Sequence, residues 1–375
     1  MRWNSVRYKF AILVICIGIL SHPFTLQANI NVSAENAILM DQSSGRILFE
    51  KNADQKKLIA SITKIMTAIV AIESGDLSEK VKISEKATRV EGSSIYLKQE
   101  DSFTLEELVY GLMLRSGNDA ATAISEQVGG SQEGFVYLMN EKAKWLGMTN
   151  TNFENPHGLD GDTHHSTAKD MAILMQYAMT NETFQKVSGT EVYKANDRDY
   201  AWRNKNKLLT AYYEYCTGGK TGYTKAAGRT LVSTAEKNGH TLIAVTLNAP
   251  DDWQDHIQLF EWGFENFDKE QIQDKGEFQY SIKAADEEIT GQIIRPIFYP
   301  LTEEEKQAIQ AKTYLYKNVE NHDHHIGKKF FYLNGEKIAE TNIHAKINNS
   351  YTEAGNGFWT SVTRLFQQVL GDPSD

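Results

Sequence analysis

The chain has 375 residues, of which 41% are hydrophobic and 23% charged, and its net charge at pH 7 is −10. This composition excludes a disordered chain, a collagen-like repeat and a membrane protein with several spans. The acidic balance, without a dense basic tract, also argues against a nucleic-acid-binding protein, and the length predicts two domains at roughly 150 residues per domain.

The first 28 residues have the pattern of a secretory signal peptide. Three basic residues precede an apolar run from Phe10 to Leu20, and Ala28 supplies a small residue at the predicted cleavage site. The run is shorter than the ~20 residues that span a bilayer, which favours cleavage over an uncleaved anchor. Cys16 would leave with the signal, so the exported chain would keep only Cys216 and form no internal disulfide.

The region after the signal predicts one α/β domain. Two short stretches, Ala37–Asp41 and Arg46–Glu50, flank a turn and predict a hairpin. Helical periodicity follows in four segments, 62–70, 105–114, 135–146 and 167–179. Two strands, Thr230–Ala235 and Thr241–Leu247, are then joined by a turn at Asn238–Gly239. Strands at both ends with helices between predict a sandwich whose single sheet is closed by both ends of the domain.

The sequence after Phe267 predicts a second, smaller domain. The polar segment Asp268–Lys275 precedes shorter alternating stretches, and Asn334–Gly335 is a strong signal for a hairpin turn. We therefore predict a larger α/β domain over residues 29–268, which would be the catalytic domain, and a smaller β-rich domain over residues 276–345.

Residues 351–375 predict an amphipathic helix. The apolar residues between Phe358 and Leu370 fall on one helical face, and Arg364 lies on the polar face. Such a helix is too short and too polar on one side to span a bilayer, but it can lie in the membrane interface through residues 358–370. The alternative is a helix that packs on its own domain, as most apolar faces of soluble proteins do.

The first residues with clear chemical potential are Ser61 and Lys64. They stand one helical turn apart at the start of an apolar helical run, so that a nucleophile and an amine share one face. A lysine that is partly desolvated among apolar side chains has a lowered pKa and can accept the serine proton. Alone, this S-x-x-K spacing is a weak signal, because it also occurs by chance.

Two further motifs in the same order strengthen the prediction. Ser116–Asn118 follows a predicted helix, and Lys220–Gly222 precedes a predicted strand. The sequence S-x-x-K, S-x-N and K-T-G is the known signature of serine β-lactamases and penicillin-binding proteins, which this chain therefore resembles.

Other segments narrow the resemblance to the low-molecular-mass penicillin-binding proteins that are D-alanyl-D-alanine carboxypeptidases. These segments are Leu114–Ala121, Asn155–Leu159 and Trp262–Phe264, and the likeness covers residues 30–345. Glu91–Leu97 and Lys220–Lys225 look most like the sporulation-associated carboxypeptidases of endospore-forming bacilli. The resemblance implies a β-lactamase/transpeptidase-like α/β sandwich, with an antiparallel sheet, helices on both sides and a helical subdomain, followed by a small all-β domain.

The resemblance also implies a covalent mechanism on a stem peptide that ends in D-Ala-D-Ala. Ser61 would attack the penultimate carbonyl and form an acyl-enzyme, and Lys64 would take its proton. Ser116 and Lys220 would relay a proton to the departing D-alanine.

The substrate-binding residues implied by the resemblance surround this catalytic group. Asn118 would hold the substrate amide, and Thr221 and Gly222 would line the peptide. The backbone N–H groups of Ser61 and Tyr223 would form the oxyanion hole.

One departure from the family concerns the terminal carboxylate. Many relatives place an arginine shortly before the Trp-Gly-Phe segment, whereas this chain has Asp251, Asp252 and Asp255 there. Lys220, Thr221 and Arg229 remain candidates for binding the carboxylate.

The histidines favour structural interpretations. His322, Asp323, His324 and His325 lie in a polar stretch that predicts a solvated loop rather than a metal site, and the same interpretation applies to His164 and His165. For His157, in the segment shared with the family, we favour a structural hydrogen-bonding role. No metal or cofactor is predicted.

Alternative functions differ in how the acyl-enzyme is resolved. Class A β-lactamases deacylate with a glutamate in an E-x-x-x-N pattern, which is absent between Asn118 and Lys220. We therefore expect β-lactams to acylate Ser61 and remain bound. A penicillin-reactive receptor without turnover is a second hypothesis, but the intact Ser61, Lys64, Ser116 and Lys220 argue against it. An endopeptidase that cuts crosslinks remains an alternative, because it uses the same residues. In each case we expect an exported protein at the outer face of the cytoplasmic membrane or in the cell wall, attached peripherally by the C-terminal helix.

Overall fold

The computed structural model describes residues 30–196, 198–282, 287–316 and 325–345. The predicted signal peptide (1–28) and C-terminal helix (351–375) lie outside the described residues. The chain divides into two compact units. The first comprises the chain up to Leu39 with Phe49–Ser233 and Ala244–Trp262, and the second comprises Met40–Leu48, Thr234–Ile243 and the chain from Gly263.

The elements up to residue 266 begin with two strands, continue with a series of helices, and end with further strands and a final helix. They are β1 (Asn36–Asp41), β2 (Ile47–Lys51), a 3-10 turn (Ala60–Thr63), α1 (Lys64–Ser74), α2 (Glu85–Thr88), α3 (Leu105–Arg115), α4 (Asn118–Gly129), α5 (Gln132–Trp145), α6 (Ala168–Ala178), α7 (Glu182–Ser188), β3 (Val192–Tyr193), β4 (Trp202–Arg203), a π-helical turn (Leu208–Tyr212), β5 (Cys216–Thr224), β6 (Gly228–Lys237), β7 (His240–Leu247) and α8 (Asp252–Asn266).

The central sheet confirms the predicted fold class. Its strand order is β2-β1-β7-β6-β5, so strands from both ends of the domain meet in one sheet. The β6–β7 turn has Asn238 and Gly239 at φ of 55° and 75°, as expected for an Asn-Gly hairpin. Strand β5 lies at the edge of this sheet, so one side of its backbone is available to an extended peptide.

The helical part places the Ser116–Asn118 motif at a sharp corner between two helices. A capping box at Thr104 and Glu107 begins α3, and Ser116 ends it in a left-handed conformation with φ of 62°. Helix α4 then begins at Asn118. The sequence analysis did not predict α4, whose residues 118–125 are all buried.

The chain after residue 266 is rich in β-structure. Its elements are β8 (Asp268–Gln273), β9 (Gly276–Ile282), β10 (Glu287–Ile293), β11 (Ile297–Leu301), a 3-10 turn (Glu305–Gln307), β12 (Ile309–Leu315), β13 (His325–Leu333) and β14 (Glu336–Ala345). Five strands form a sheet in the order β12-β13-β14-β10-β9, and β8 pairs with β11. Strand β8 thus lies in the polar segment Asp268–Lys275, which the sequence analysis placed between the two domains. This segment has no apolar face, and β8 is instead held by its backbone hydrogen bonds to β11.

Candidate active site

The nucleophile candidate lies on a strained turn ahead of α1. Lys64 Nζ donates a hydrogen bond to Ser61 Oγ at 2.9 Å. Ala60, which is buried, has a left-handed φ of 48°. Gly158 presses against this turn, since a Cβ there would lie 2.0 Å from the Ala60 carbonyl oxygen and 2.9 Å from Thr63 Oγ1. Only glycine fits at position 158, and the close contact holds Ser61 in place.

Lys64 is completely buried and is surrounded by hydrogen-bond acceptors. Besides Ser61, its Nζ donates to Asn118 Oδ1 at 2.8 Å and to the His157 carbonyl oxygen. Burial holds the pKa of Lys64 well below its ordinary value, and the nearby cations of Lys220 and Lys205 lower it further. A lower pKa favours the neutral amine, which can accept a proton from the adjacent hydroxyl.

Lys220 lies buried on the edge strand beside this group. Its Nζ donates to the Thr221 carbonyl oxygen at 2.8 Å, and burial, followed by the charge of Lys205, lowers its pKa to about 7. Two buried lysines with lowered pKa values in one site indicate acid–base chemistry rather than ion pairing.

The backbone of β5 approaches the nucleophile closely at Gly222. A Cβ at this position would lie 2.4 Å from Thr230 Oγ1 and 2.9 Å from the Ser61 backbone nitrogen. Tyr223, which follows, is exposed and lines the same pocket as Ser61. This arrangement is compatible with two backbone donors that converge on a developing oxyanion.

These elements enclose one pocket of about 280 Å³. Six of the predicted site residues line it: Ser61, Ser116, Thr221, Gly222, Tyr223 and Arg229. The other three, Lys64, Asn118 and Lys220, lie behind the lining. The structure thus brings all nine predicted site residues together.

Four lining residues were not predicted from the sequence. They are Ser93, Lys205, Asp252 and Trp253. Lys205 Nζ donates to Ser93 Oγ at 3.1 Å, and burial lowers the pKa of Lys205. Ser93 lies in the segment Glu91–Leu97, on which part of the resemblance rests. Lys205 is a lone lysine in a polar stretch, so the sequence gives no signal for it.

Arg229 binds Asp252, one of the aspartates in the stretch where many relatives have an arginine. Its Nη2 and Nε lie 2.6 and 3.0 Å from Asp252 Oδ1, and its guanidinium lies 5.6 Å from the centre of the Trp253 ring. Burial raises the pKa of Asp252, against the opposing effect of Arg229. Arg229 therefore reaches the pocket with part of its charge compensated.

The histidines behave differently from one another. His157 contributes its backbone carbonyl to Lys64, and burial lowers its pKa to about 3, so its ring is neutral. The prediction of a solvated loop is wrong for His164, which is 1% exposed and lies 2.9 Å from Thr63 Oγ1. Its ring is buried because Nδ1 also accepts a hydrogen bond from the Glu154 N–H. His165, by contrast, is partly exposed.

Residues 322–324 lie outside the described residues, whereas the His325 ring packs against that of His344 with a centroid distance of 4.4 Å. Among the residues described, no group of three or more His, Cys, Asp or Glu side chains could hold a metal ion.

Cys216 is buried, and burial raises the pKa of its thiol to about 12. Within the same described ranges, no helix is long and apolar enough to cross a bilayer.

Comparison with known proteins identifies a family for this chain. Residues 23–251 match the family described as peptidase S11, D-alanyl-D-alanine carboxypeptidase. The chain is 38% identical over 223 residues to D-alanyl-D-alanine carboxypeptidase DacF of Bacillus subtilis, an alignment that covers 58% of this chain and 57% of the relative. The chain thus spans less than two thirds of that relative's length.

Two comparisons extend further along the chain. D-alanyl-D-alanine carboxypeptidase DacA of Haemophilus influenzae is 30% identical over 344 residues, which are 86% of each chain. The crystal structure of penicillin binding protein 5 from the same organism superposes with a TM-score of 0.73 at 28% identity, over 84% of this chain and 97% of that one. The fold similarity therefore includes both the α/β region and the β-rich region.

Proposed function

Because this chain belongs to the D-alanyl-D-alanine carboxypeptidase family, we propose that it is a serine peptidase that removes the terminal D-alanine from peptidoglycan stem peptides ending in D-Ala-D-Ala. The observation that carries this proposal is the hydrogen bond of 2.9 Å from the buried Lys64 amine to Ser61 Oγ, at the base of a pocket lined by cations.

In the proposed acylation, Ser61 Oγ attacks the carbonyl carbon of the penultimate D-alanine. Lys64 accepts the hydroxyl proton, a role that its lowered pKa favours. The negative charge that forms on the carbonyl oxygen faces the N–H groups of Ser61 and Tyr223. The close approach of Gly222 to the Ser61 nitrogen supports this pairing of donors.

The tetrahedral intermediate then collapses. The bond to the nitrogen of the terminal D-alanine breaks, and the leaving amine receives a proton through Ser116 and Lys220. The pKa of about 7 at Lys220 suits a group that gives and regains a proton at neutral pH. Asn118, held 2.8 Å from Lys64, orients the amine and the substrate amide, and water finally hydrolyses the ester on Ser61.

The pocket offers cations for the terminal carboxylate of the substrate. Arg229 and Lys205 both line it, together with Thr221. A carboxylate accepts two hydrogen bonds from a guanidinium fork in a fixed geometry. We assign Arg229 to this carboxylate, with Lys205 and Thr221 as its neighbours.

β-Lactams should acylate the same serine, since their strained amide presents the same carbonyl to Ser61. The absence of an E-x-x-x-N pattern between Asn118 and Lys220 supports a slowly hydrolysed acyl-enzyme. Rapid turnover of nitrocefin would contradict this part of the proposal.

The decisive assay follows D-alanine release from diacetyl-L-Lys-D-Ala-D-Ala by the protein without its predicted signal peptide. A Ser61→Ala variant and a labelled penicillin are run in parallel. Release and labelling that are both lost in Ser61→Ala support the carboxypeptidase. Labelling without release would favour a penicillin-reactive receptor or an endopeptidase that needs crosslinked wall.

We propose that the enzyme acts outside the cytoplasmic membrane, after removal of residues 1–28, and attaches to the membrane surface through residues 358–370. The charge pattern of the signal and the apolar face of the tail support this location. If residues 351–375 can be removed without changing the membrane-bound fraction of the protein, the attachment is wrong.

The resemblance of Glu91–Leu97 to sporulation-associated carboxypeptidases supports a role in cell-wall maturation, including the spore cortex. Cells that carry Ser61→Ala should then retain more cortex stem peptides with intact D-Ala-D-Ala ends. An unchanged muropeptide profile would place the activity in vegetative wall.

A further inference from the structure

A buried carboxylate outside the proposed catalytic group organises one wall of the pocket. Asp119 is the second residue of α4 and is 2% exposed. Its Oδ2 accepts hydrogen bonds from Ser94 Oγ at 2.5 Å and from the backbone N–H groups of Ile95 and Leu97 at 3.0 and 3.1 Å. Hydrogen bonds to an ionised carboxylate are roughly twice as strong as those between neutral groups. Asp119 is therefore the main anchor of the segment Glu91–Leu97.

The conformation of that segment depends on this anchor. Tyr96, between the two donating N–H groups, has a left-handed φ of 60° and a side chain that is 76% exposed. A bulky residue rarely adopts this conformation, and at an exposed site its own side chain does not hold it there. The left-handed turn directs the N–H groups of Ile95 and Leu97 toward one point, where the Asp119 carboxylate binds both.

The same segment also positions the catalytic amide. The Glu91 carbonyl oxygen accepts a hydrogen bond from Asn118 Nδ2 at 2.6 Å, and the Ser93 carbonyl oxygen accepts one from the Asn118 N–H at 2.7 Å. Gly92 lies so close that a Cβ there would be 2.7 Å from Asn118 Nδ2. The amide orientation that points Oδ1 at Lys64 is thus set by the segment rather than by α4 alone.

We infer that Asp119 is a positioning residue, which holds the segment Glu91–Leu97 so that Asn118 faces Lys64 and Ser93 faces the substrate pocket. The inference rests on the proposed function of this site. The negative charge of Asp119 favours the ammonium form of Lys64, so loss of that charge alone would favour the neutral amine that accepts the serine proton. A slower acylation in Asp119→Asn therefore reports lost positioning rather than lost charge.

A purely structural role for Asp119 is the competing explanation, and the chain offers a matched control. Asp170 is 3% exposed, lies in the first turn of α6 and accepts hydrogen bonds from the Asn150 N–H at 2.9 Å and Thr151 Oγ1 at 2.7 Å. It is likewise a buried carboxylate at a helix start that anchors a loop, but it does not contact the pocket lining.

The experiment compares Asp119→Asn, Asp170→Asn and the wild-type protein in stopped-flow acylation by a fluorescent penicillin. Partial unfolding lowers the amplitude of labelling, whereas misplacement of Asn118 and Lys64 lowers the rate constant of the molecules that do react. We expect the Asp119→Asn rate constant to fall at least about tenfold, since misplacement of a catalytic group by 1 Å can cost more than this. Asp170→Asn should change only the amplitude.

A milder variant keeps the test decisive if Asp119→Asn does not fold. Ser94→Ala removes one donor to Asp119 and the acceptor of the Tyr96 N–H, so its rate constant should fall about threefold. Rate constants equal to that of the wild type in the variants that fold would overturn the inference. Failure of the wild type itself to label would instead refute the proposed function.

Discussion

Replacing Arg229 by alanine tests how the pocket recognises the terminal carboxylate of the substrate. Arg229 lines the pocket, and its side chain is 42% exposed while that of its partner Asp252 is 3% exposed. A hydrogen bond to a charged group contributes about 1.5–3 kcal/mol, and partial exposure of the guanidinium places the value near the lower end. Since about 1.4 kcal/mol corresponds to a factor of ten, KM should rise about tenfold.

The same substitution has a second effect that must be separated from the first. Without Arg229, Asp252 becomes a buried carboxylate without its guanidinium, and any charge that it keeps repels the substrate carboxylate. The double variant Arg229→Ala/Asp252→Asn removes this repulsion. Its KM should be about threefold lower than that of Arg229→Ala, which is the scale of a partly exposed charge pair. Arg229→Lys keeps the positive charge but loses the two-pronged guanidinium, so its KM should lie between those of the wild type and Arg229→Ala.

The assay is steady-state release of D-alanine from a D-Ala-D-Ala peptide across a range of substrate concentrations. We expect KM to change and kcat to stay within about threefold, as for the loss of uniform binding. An unchanged KM in Arg229→Ala would remove Arg229 from substrate binding and leave Lys205 and Thr221. A rise in KM that disappears completely in the double variant would show that the carboxylate of Asp252 caused it.

Three further predictions concern the nucleophile turn, the buried amines and the scaffold. Gly158→Ala places a Cβ 2.0 Å from the Ala60 carbonyl oxygen, so penicillin labelling should slow by about a hundredfold or more, and labelling at the wild-type rate would refute the contact. Lys205→Ala removes a cation that lowers the pKa of Lys64; that pKa should rise, and the acid limb of the kcat/KM profile should move to higher pH. A limb that stays in place or moves to lower pH would contradict this sign. Asp255 accepts three hydrogen bonds from residues 33 and 34, so Asp255→Asn should lower the unfolding free energy in urea by about 1–3 kcal/mol without changing kcat.

Most of the predicted site residues lie in short local motifs that can be recognised in the sequence without knowledge of tertiary contacts. Ser61 and Lys64 share one helical turn, and Lys220–Gly222 occupy one strand, so each motif needs only local structure to be recognised. The same locality explains the correct hairpin at Asn238–Gly239, where two residues decide the turn type.

The residues that were missed depend on contacts between distant parts of the chain. Lys205 reaches the pocket because its Nζ binds Ser93, which is 112 residues away in the sequence. His164 was assigned to a solvated loop because its neighbours in the sequence are polar, whereas in the structure its ring is buried beside the distant Thr63 hydroxyl. The burial of this ring depends on tertiary contacts, which no local sequence pattern records. Helix α8 was not predicted either.

Ala60, next to Ser61, has a strained left-handed backbone conformation in the folded state. Ala60 is buried at a φ of 48°, a conformation that glycine adopts without steric cost and alanine does not. Glycine at this position would relieve the strain of the folded state, but it would also let the turn that carries Ser61 sample other conformations. The alanine at position 60 therefore restricts the turn that carries Ser61 to one conformation, at a steric cost that the folded state bears.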